Sequence, residues 1–444
     1  MSEKAMQLLE EKKFGQLRSH LMEMNPADIA LFMEEISLDS LPVVFRILSK
    51  SMAAETFTFM DSDLQEHLIH SFSDNELKAV IDEIYLDDAV DIVEEMPANV
   101  IKRILRSASP DKRKMINEIL KYPEDSAGSL MTIEYVSLRR RMTVKEALNR
   151  IRKTGLDKET IYTCYVTTDH NRLVGIVTAK ALLLADETAI IEDIMERNPI
   201  YVSTLEDKEV VANTFQKYDF LALPVVDDEC RLVGIVTVDD AMDVLQEEAT
   251  EDIEKMAAIT PDDKPYLKTS VFELFKSRIP WLLLLMISAA FTGMIIHSYE
   301  SSLASHVILT SFIPMLMGTG GNSGSQSSVT VIRGLSLGEI EFSDLFIVIW
   351  KEIRVAVLCG LTLAVASFFK TLWFDSAGVQ ISLVVSATIL ATVVTAKFAG
   401  SVLPIFASKI GFDPAVMANP FITTIVDTLS LVLYFNIANA IIHF

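Results

Sequence analysis

The sequence predicts a multidomain protein. An all-α helical superhelix covers residues 1–130, an α+β module built from a tandem repeat covers 131–242, an acidic linker helix covers 243–270, and a polytopic α-helical membrane domain of five spans covers 271–444. Three observations carry this. Hydrophobic residues make up 50% of the chain while the net charge is −22, a pairing that suits no single globular domain. The two properties separate along the chain: only eight acids and six bases lie from Ile279 onward, which leaves a net −20 on residues 1–278. Finally, the heptapeptide RLVGIVT occurs at 172–178 and again at 231–237, 59 residues later.

Acidity of the soluble part argues against a nucleic-acid partner, which would call for a basic face, and favours cations. Cys164, Cys230 and Cys359 are far apart, so neither a disulfide framework nor a zinc site is indicated. The start, MSEKAMQLLEEKK, lacks a cleavable signal pattern, which predicts a cytoplasmic soluble part.

Residues 1–130 read as short amphipathic helices. Asn25-Pro26, Ser73-Asp74, Leu86-Asp87 and Ser109-Pro110 are start signals of the cap-and-Pro or cap-and-acid kind. Apolar residues follow at three/four spacing, such as Ile29, Phe32, Met33 and Ile36, or Leu77, Val80, Ile81 and Ile84. Uneven spacing of the starts predicts a superhelix without a strict repeat, and an ordinary bundle fits nearly as well. Asp87 and Asp91 fall one turn apart on one helix face, with Asp88, Glu94 and Glu95 nearby. Such a run is ordinarily a solvated face.

Each RLVGIVT copy follows a hydrophobic strand, CYVTTD or LPVVDD, and precedes a helix. Its glycine reads as a tight turn between strands. This resembles a tandem pair of cystathionine-β-synthase (CBS) domains over about residues 131–247. Such pairs often bind adenine nucleotides through a Thr and an Asp three residues later. Thr237 and Asp240 match in the second copy, whereas Thr178 is followed by Ala181 in the first, so the ribose-binding carboxylate is missing there.

The linker helix predicted at about 239–258 carries an apolar stripe of Leu245, Ala249, Ile253 and Met256. Asp240, Asp243, Glu247, Glu248, Glu251 and Asp252 load its other faces and repel one another by a few tenths of a kcal/mol per close pair. Solvent or a hard divalent cation with oxygen ligands would neutralise them.

Five stretches are long enough to span a bilayer: 279–298, 303–332, 345–369, 377–408 and 414–442. Lys276, Arg278, Arg333, Lys351, Arg354 and Lys409 flank one side and only Lys370 the other. The positive-inside rule then places the N-terminus in the cytoplasm and the C-terminus outside. The second span carries GTGGNSGSQSS at 318–328, where Gly320 and Gly324 would let helices approach closely. Asn322 and Gln326, one turn apart, would face a pore or glue helices. No Gly-Lys-Ser/Thr ending makes this a phosphate loop.

The last span holds one carboxylate, Asp427. Burying an acid in a bilayer costs on the order of 2.5–3.5 kcal/mol, so such a residue normally faces a cavity or a partner. On a helix Thr423, Thr424, Ser430 and Tyr434 share its face, with Asn419 two turns earlier. This polar stripe suits an ion site in a wet pore; the alternative is a buried hydrogen bond between helices. Asn419-Pro420 would break the helix at the cytoplasmic mouth and act as a gate.

The order of segments, with PMLMGTGGNSGSQ at 314–326, DPAVMANPFITTIVD at 413–427 and DDAMDVLQEEATED at 239–252, resembles the MgtE family of magnesium channels over the whole chain. The resemblance implies a homodimer in the inner (plasma) membrane, with a pore on the twofold axis and Asp427 of both subunits facing the ion. It implies that cytoplasmic Mg2+ closes the channel by binding between acidic surfaces, with the linker helix as a plug. The family's sensor carboxylates carry over onto Glu209, Asp219, Asp240, Asp243, Glu248, Glu251 and Asp252, and by a looser alignment onto Asp87 and Asp91. Mg2+ dehydrates reluctantly and is usually held through waters by one or two carboxylates, which one Asp per subunit satisfies. A secondary transporter, or a channel for Co2+ or Ca2+, would share this architecture. An intramembrane aspartyl protease would need two carboxylates sharing a proton, and a non-enzymatic role is expected.

Overall fold

The computed structural model describes residues 2–262, 264, 266–417 and 419–442. They form two compact units, Met1–Leu245 and Gln246–Phe444.

In the first unit, ten helices run from Ser2 to Ile119 among the described residues. Local chemistry sets their starts: helices begin at Pro26, Asp74, Leu86 and Pro110, where the sequence signals them. The Asn25 side chain accepts the Ala27 N–H at 3.0 Å, and Ser73 and Glu76 close a reciprocal capping box. Alternate helices pack on one another along one row, Pro26–Glu35 on Lys50–Thr58, that on Asp74–Ile81, and that on Ala98–Ser107. This is the stepping of a superhelical stack. The periodic residues Ile29, Phe32, Met33, Leu77 and Ile81 are buried, and their core continues into Val211, Phe215, Leu223 and Val236 of the second repeat.

The repeats fold alike. The first sheet has order β1 (Ser137–Arg139), β2 (Thr163–Thr167), β3 (Leu173–Thr178) and β4 (Glu196–Arg197). The second has order β5 (Val202–Ser203), β6 (Ala222–Val226) and β7 (Leu232–Thr237). β3 pairs antiparallel with β2, and β7 with β6, in the same register. The copies also join reciprocally: Leu173 N–H donates to Cys230 O at 3.0 Å, and Leu232 N–H to Asn171 O at 2.9 Å. The repeat glycines are not turn residues, contrary to expectation. Gly175 and Gly234 lie inside β3 and β7, where a Cβ would sit 2.7 Å from Glu196 O and 2.8 Å from Thr132 O. Close backbone approach, not chain reversal, demands them.

The linker helix is one uninterrupted element, Val238–Met256, whose early residues belong to the first unit and later ones to the second. Its predicted apolar stripe is not what packs: Ala249 is exposed and Ile253 is 65% exposed. Met256 alone of the four joins a cluster in the second unit, beside Ile332 and Ala415. Charge contacts seat this end of the helix instead.

The second unit is helical. Four helical segments, Val271–Ser298, Phe342–Trp373, Val379–Lys409 and Pro414–Ile442, are long and apolar enough to cross a membrane by length and composition. The predicted second span breaks into Glu300–Ser305, a 3-10 turn Val307–Phe312 and the helix Ile313–Ser336. That glycine-rich helix has 24 residues, about 36 Å of rise, but Gly and Ser dilute its hydropathy. It packs against Val379–Lys409 and Asn419–Ile442. Lys351 and Arg354, counted among the bases flanking one side, lie in the first turns of the helix Leu345–Trp373. Regular helix is interrupted before Asn419 by the 3-10 turn Pro414–Met417, as Asn419-Pro420 signals.

Candidate metal centre and membrane carboxylate

The first unit gathers acids from segments far apart in sequence. Asp87 and Asp91 come from the helix Leu86–Glu95, Glu134 and Glu159 from loops, and Asp239 and Asp240 from the start of the linker helix. Asp87 is only 6% exposed. Carboxylate oxygens of Asp87, Glu134 and Glu159 lie within 4.8 Å of one another. Magnesium holds oxygens at about 2.0–2.1 Å, so opposite ligands stand roughly 4.2 Å apart, and this trio fits one partly hydrated ion.

Lost solvation and mutual repulsion act on these carboxyls together. Burial, then the charges of Asp240, Glu159 and Asp88, raise Asp87 well above the usual carboxylate range. Burial, then Asp88 and Asp239, push Glu159 up to about 8. Asp91 is more open to solvent but is raised too, by lost solvation and then by Asp240 and Asp88. Asp240 is raised by burial and by Asp239, against the hydrogen bond it accepts from Thr237 Oγ1 at 2.8 Å. Lys112 Nζ stands 3.7 Å from Glu134, whose other oxygen accepts the Leu86 N–H at 3.0 Å.

The predicted residues divide. Asp87, Asp91 and Asp240 come together, and Asp243 is raised by burial and then by Asp239. Glu209 and Asp219 sit at opposite ends of the helix Lys208–Tyr218, about 15 Å apart by helical rise. Glu248, Glu251 and Asp252 belong to the second unit. There Lys255 Nζ bridges Glu251 at 2.5 Å and Asp413 at 2.7 Å, and Asp252 accepts from Ser336 Oγ at 3.1 Å. For the nucleotide pair, the Thr237–Asp240 contact is present, while Thr178 caps its own helix by accepting the Ala181 N–H at 3.1 Å.

In the membrane helices, Asp427 is half-buried and its Oδ1 is buried without a hydrogen-bond partner among the described residues. The polar stripe expected around it is divided. Ser430 and Tyr434 are buried and their hydroxyls are spent on Val426 O at 2.6 Å and Leu309 O at 2.9 Å. Thr424 donates to Pro420 O at 3.0 Å and lines a groove of about 560 Å³ with Ser288 and Phe291 of the first membrane helix. Thr423 packs its methyl over Gly321. Asn322 and Gln326 are exposed on the glycine-rich helix. The side chain of Asn419 lies outside the described residues.

Sequence reading missed Glu134 and Glu159, which sit singly in loops without periodic signal. It also missed Lys255, Asp413, Ser327, Glu352 and Lys397. Lys397 was the detectable one, a charge in the middle of an apolar span.

Comparison with known proteins agrees across the chain. Residues 24–125 match the MgtE intracellular N domain, residues 127–187 and 191–247 match CBS domains, and residues 313–437 match the MgtE divalent cation transporter domain. The magnesium transporter MgtE of Thermus thermophilus is 36% identical over 98% of this chain and 97% of its own length. That of Bacillus subtilis is 33% identical over 98% and 96%. Among solved structures, the cytosolic domain of the Mg2+ channel MgtE in complex with ATP is 36% identical, with a TM-score of 0.52 over 55% of this chain and 100% of that one. The soluble part of a magnesium transporter is 29% identical, with a TM-score of 0.53 over 56% and 98%. The chain belongs to the MgtE family of magnesium transporters.

Proposed function

We propose that the chain forms a homodimeric, Mg2+-selective channel that admits hydrated Mg2+ down its gradient across the inner (plasma) membrane. Five helices span, with the N-terminus cytoplasmic and the C-terminus outside; the glycine-rich helix completes the set because its polar surface packs inside protein or lines a wet path. The observation that carries the reading is the bare Asp427 Oδ1, a buried carboxylate oxygen with no partner among the described residues. Such an oxygen is expensive in hydrocarbon, and a second copy across a twofold axis with a water-clad cation between them would satisfy it. Asn322, Gln326, Thr423, Thr424, Asn419 and Pro420 are the remaining candidates for the path.

Closure is electrostatic. The carboxyls of Asp87, Asp91, Glu159 and Asp240 hold protons because their charged forms repel, and a divalent ion that displaces the protons and bridges the carboxylates favours a compact soluble region at high cytoplasmic Mg2+. Asp243, Glu248, Glu251, Asp252, Glu209 and Asp219 would add weaker sites. The linker helix carries the signal as a plug, since its end is already tied to Asp413 just ahead of the Asp427 helix. An adenine nucleotide at Thr237 and Asp240 is a secondary reading, supported by the ATP-bound relative. Single-channel recording in planar bilayers tests the whole: Mg2+ current that shuts as Mg2+ rises on the cytoplasmic face supports it, and proton-coupled flux or equal Ca2+ and Mg2+ currents overturn it in favour of a secondary transporter or a less selective channel.

A further inference from the structure

Three membrane helices meet at one hydroxyl. Lys397 of the helix Val379–Lys409 and Glu352 of the helix Leu345–Trp373 have side chains only 6% and 15% exposed. Their charged ends are 3.9 Å apart. Between them stands Ser327 of the glycine-rich helix, itself 2% exposed: its Oγ accepts from Lys397 Nζ at 3.1 Å and donates to Glu352 at 2.5 Å.

A buried ammonium in lipid persists only when paired, and apolar helices in lipid have little to fix their rotation against one another. This arrangement supplies what apolar packing lacks. The ammonium neutralises the Glu352 carboxylate, so the group is a poor ligand for a passing cation. Its hydrogen bonds are directional and, among the described residues, run through Ser327. That fixes the glycine-rich helix in both rotation and height. With Ser327 turned inward, Asn322 and Gln326 are left on the open side, as observed. Gly320, Gly321 and Gly324 let that helix pack closely on its neighbours, with Thr423 over Gly321 and Ile422 against Gly324, and the polar contact adds a directional restraint to that packing.

We propose that Lys397, Ser327 and Glu352 form a positioning device for ion selection, holding the glycine-rich helix so that Asn322 and Gln326 face the ion path. The proposal rests on the reading above that this open face lines the path. The decisive variants are the neutral pair Lys397→Met with Glu352→Gln, the conservative Lys397→Arg, and Ser327→Ala, with Asn322→Ala and Gln326→Ala as controls on the face itself. Each is reconstituted as the full-length protein in liposomes, and the ratio of Mg2+ to Ca2+ uptake is read alongside the thermal midpoint in detergent. The expected result is a ratio lowered about tenfold in the neutral pair and about threefold in Ser327→Ala, with midpoints near wild type, and a ratio retained in Lys397→Arg. If the neutral pair does not fold, Ser327→Ala decides alone. A wild-type ratio in Ser327→Ala and in any folded neutral pair, while the Asn322 or Gln326 controls shift it, overturns the positioning role but leaves the pore face standing. A wild-type ratio in the controls as well overturns both.

Discussion

Gly400 and Gly324 touch backbone to backbone: a Cβ built on Gly400 would lie 2.3 Å from the Gly324 carbonyl oxygen. Two membrane helices therefore cross at a point where neither tolerates a side chain, and Gly324 is also the residue whose Cβ would meet Ile422 of the Asp427 helix at 2.7 Å. Gly400→Ala should cost at least the 1–3 kcal/mol typical of overpacking, because a carbonyl cannot rotate away as a side chain does. Gly318→Ala, with nothing within 4 Å, should be tolerated. Thermal unfolding in detergent checks both: the expected pattern is a clear drop for Gly400→Ala and none for Gly318→Ala.

The acid cluster of the first unit should make stability fall as pH rises. Its carboxyls titrate higher in the folded protein than the usual unfolded value near 4, so the unfolded chain releases protons first. Stability is therefore fullest below about pH 4 for these groups and is lost progressively through about pH 8, where Glu159 is half ionised. Mg2+ competes with those protons. Hydrogen exchange in the Leu86–Glu95 helix of the full-length protein should slow on adding Mg2+ far more at pH 8 than at pH 6. Equal protection at both would show that these carboxyls do not hold the ion.

Lys255 offers a test of the linker. Burial alone would lower its ammonium, but the hydrogen bonds to Asp413 and Glu251 outweigh this and raise it. A partly exposed pair of this kind is worth on the order of 1 kcal/mol, roughly fivefold in an equilibrium. Lys255→Met should therefore shift closure to about fivefold higher cytoplasmic Mg2+. An unchanged closing concentration in bilayer recordings would mean that the tether to Asp413 plays no part in gating.

Neutralising Asp240, Asp243, Glu248, Glu251 and Asp252 together should leave Mg2+ conduction intact and blunt its closure. Driving a gate from 1:99 to 99:1 takes about 5.5 kcal/mol of preference, which several weak sites can share, so single variants should shift the closing concentration less than the combined one. Currents that shut at the wild-type Mg2+ level in the combined variant would contradict the sensor assignment.

What was legible in the sequence was local or repeated. Helix starts at Asn25-Pro26 and Ser73 depend on capping atoms within three residues, and the RLVGIVT copies announce one fold twice. The Asp427 helix was visible because a lone acid among apolar residues is costly wherever the chain goes. What escaped was assembled by the fold. Glu134 and Glu159 join Asp87 from separate loops, and Lys397 finds Ser327 and Glu352 from helices 70 and 45 positions away in sequence. The linker misled for a related reason: its apolar stripe predicted greasy packing, whereas Lys255 and Asp252 make the contacts and Ile253 is left outward. Ser430 and Tyr434 looked like pore residues because helical spacing reports a face, not whether its hydroxyls are already bonded to carbonyls.

The most direct measurement is Mg2+ uptake into liposomes by Asp427→Ala, with dimer content checked by light scattering. The account predicts a folded dimer whose Mg2+ flux is abolished or no longer discriminates against Ca2+. A folded Asp427→Ala protein that carries Mg2+ at the wild-type rate and selectivity would contradict it.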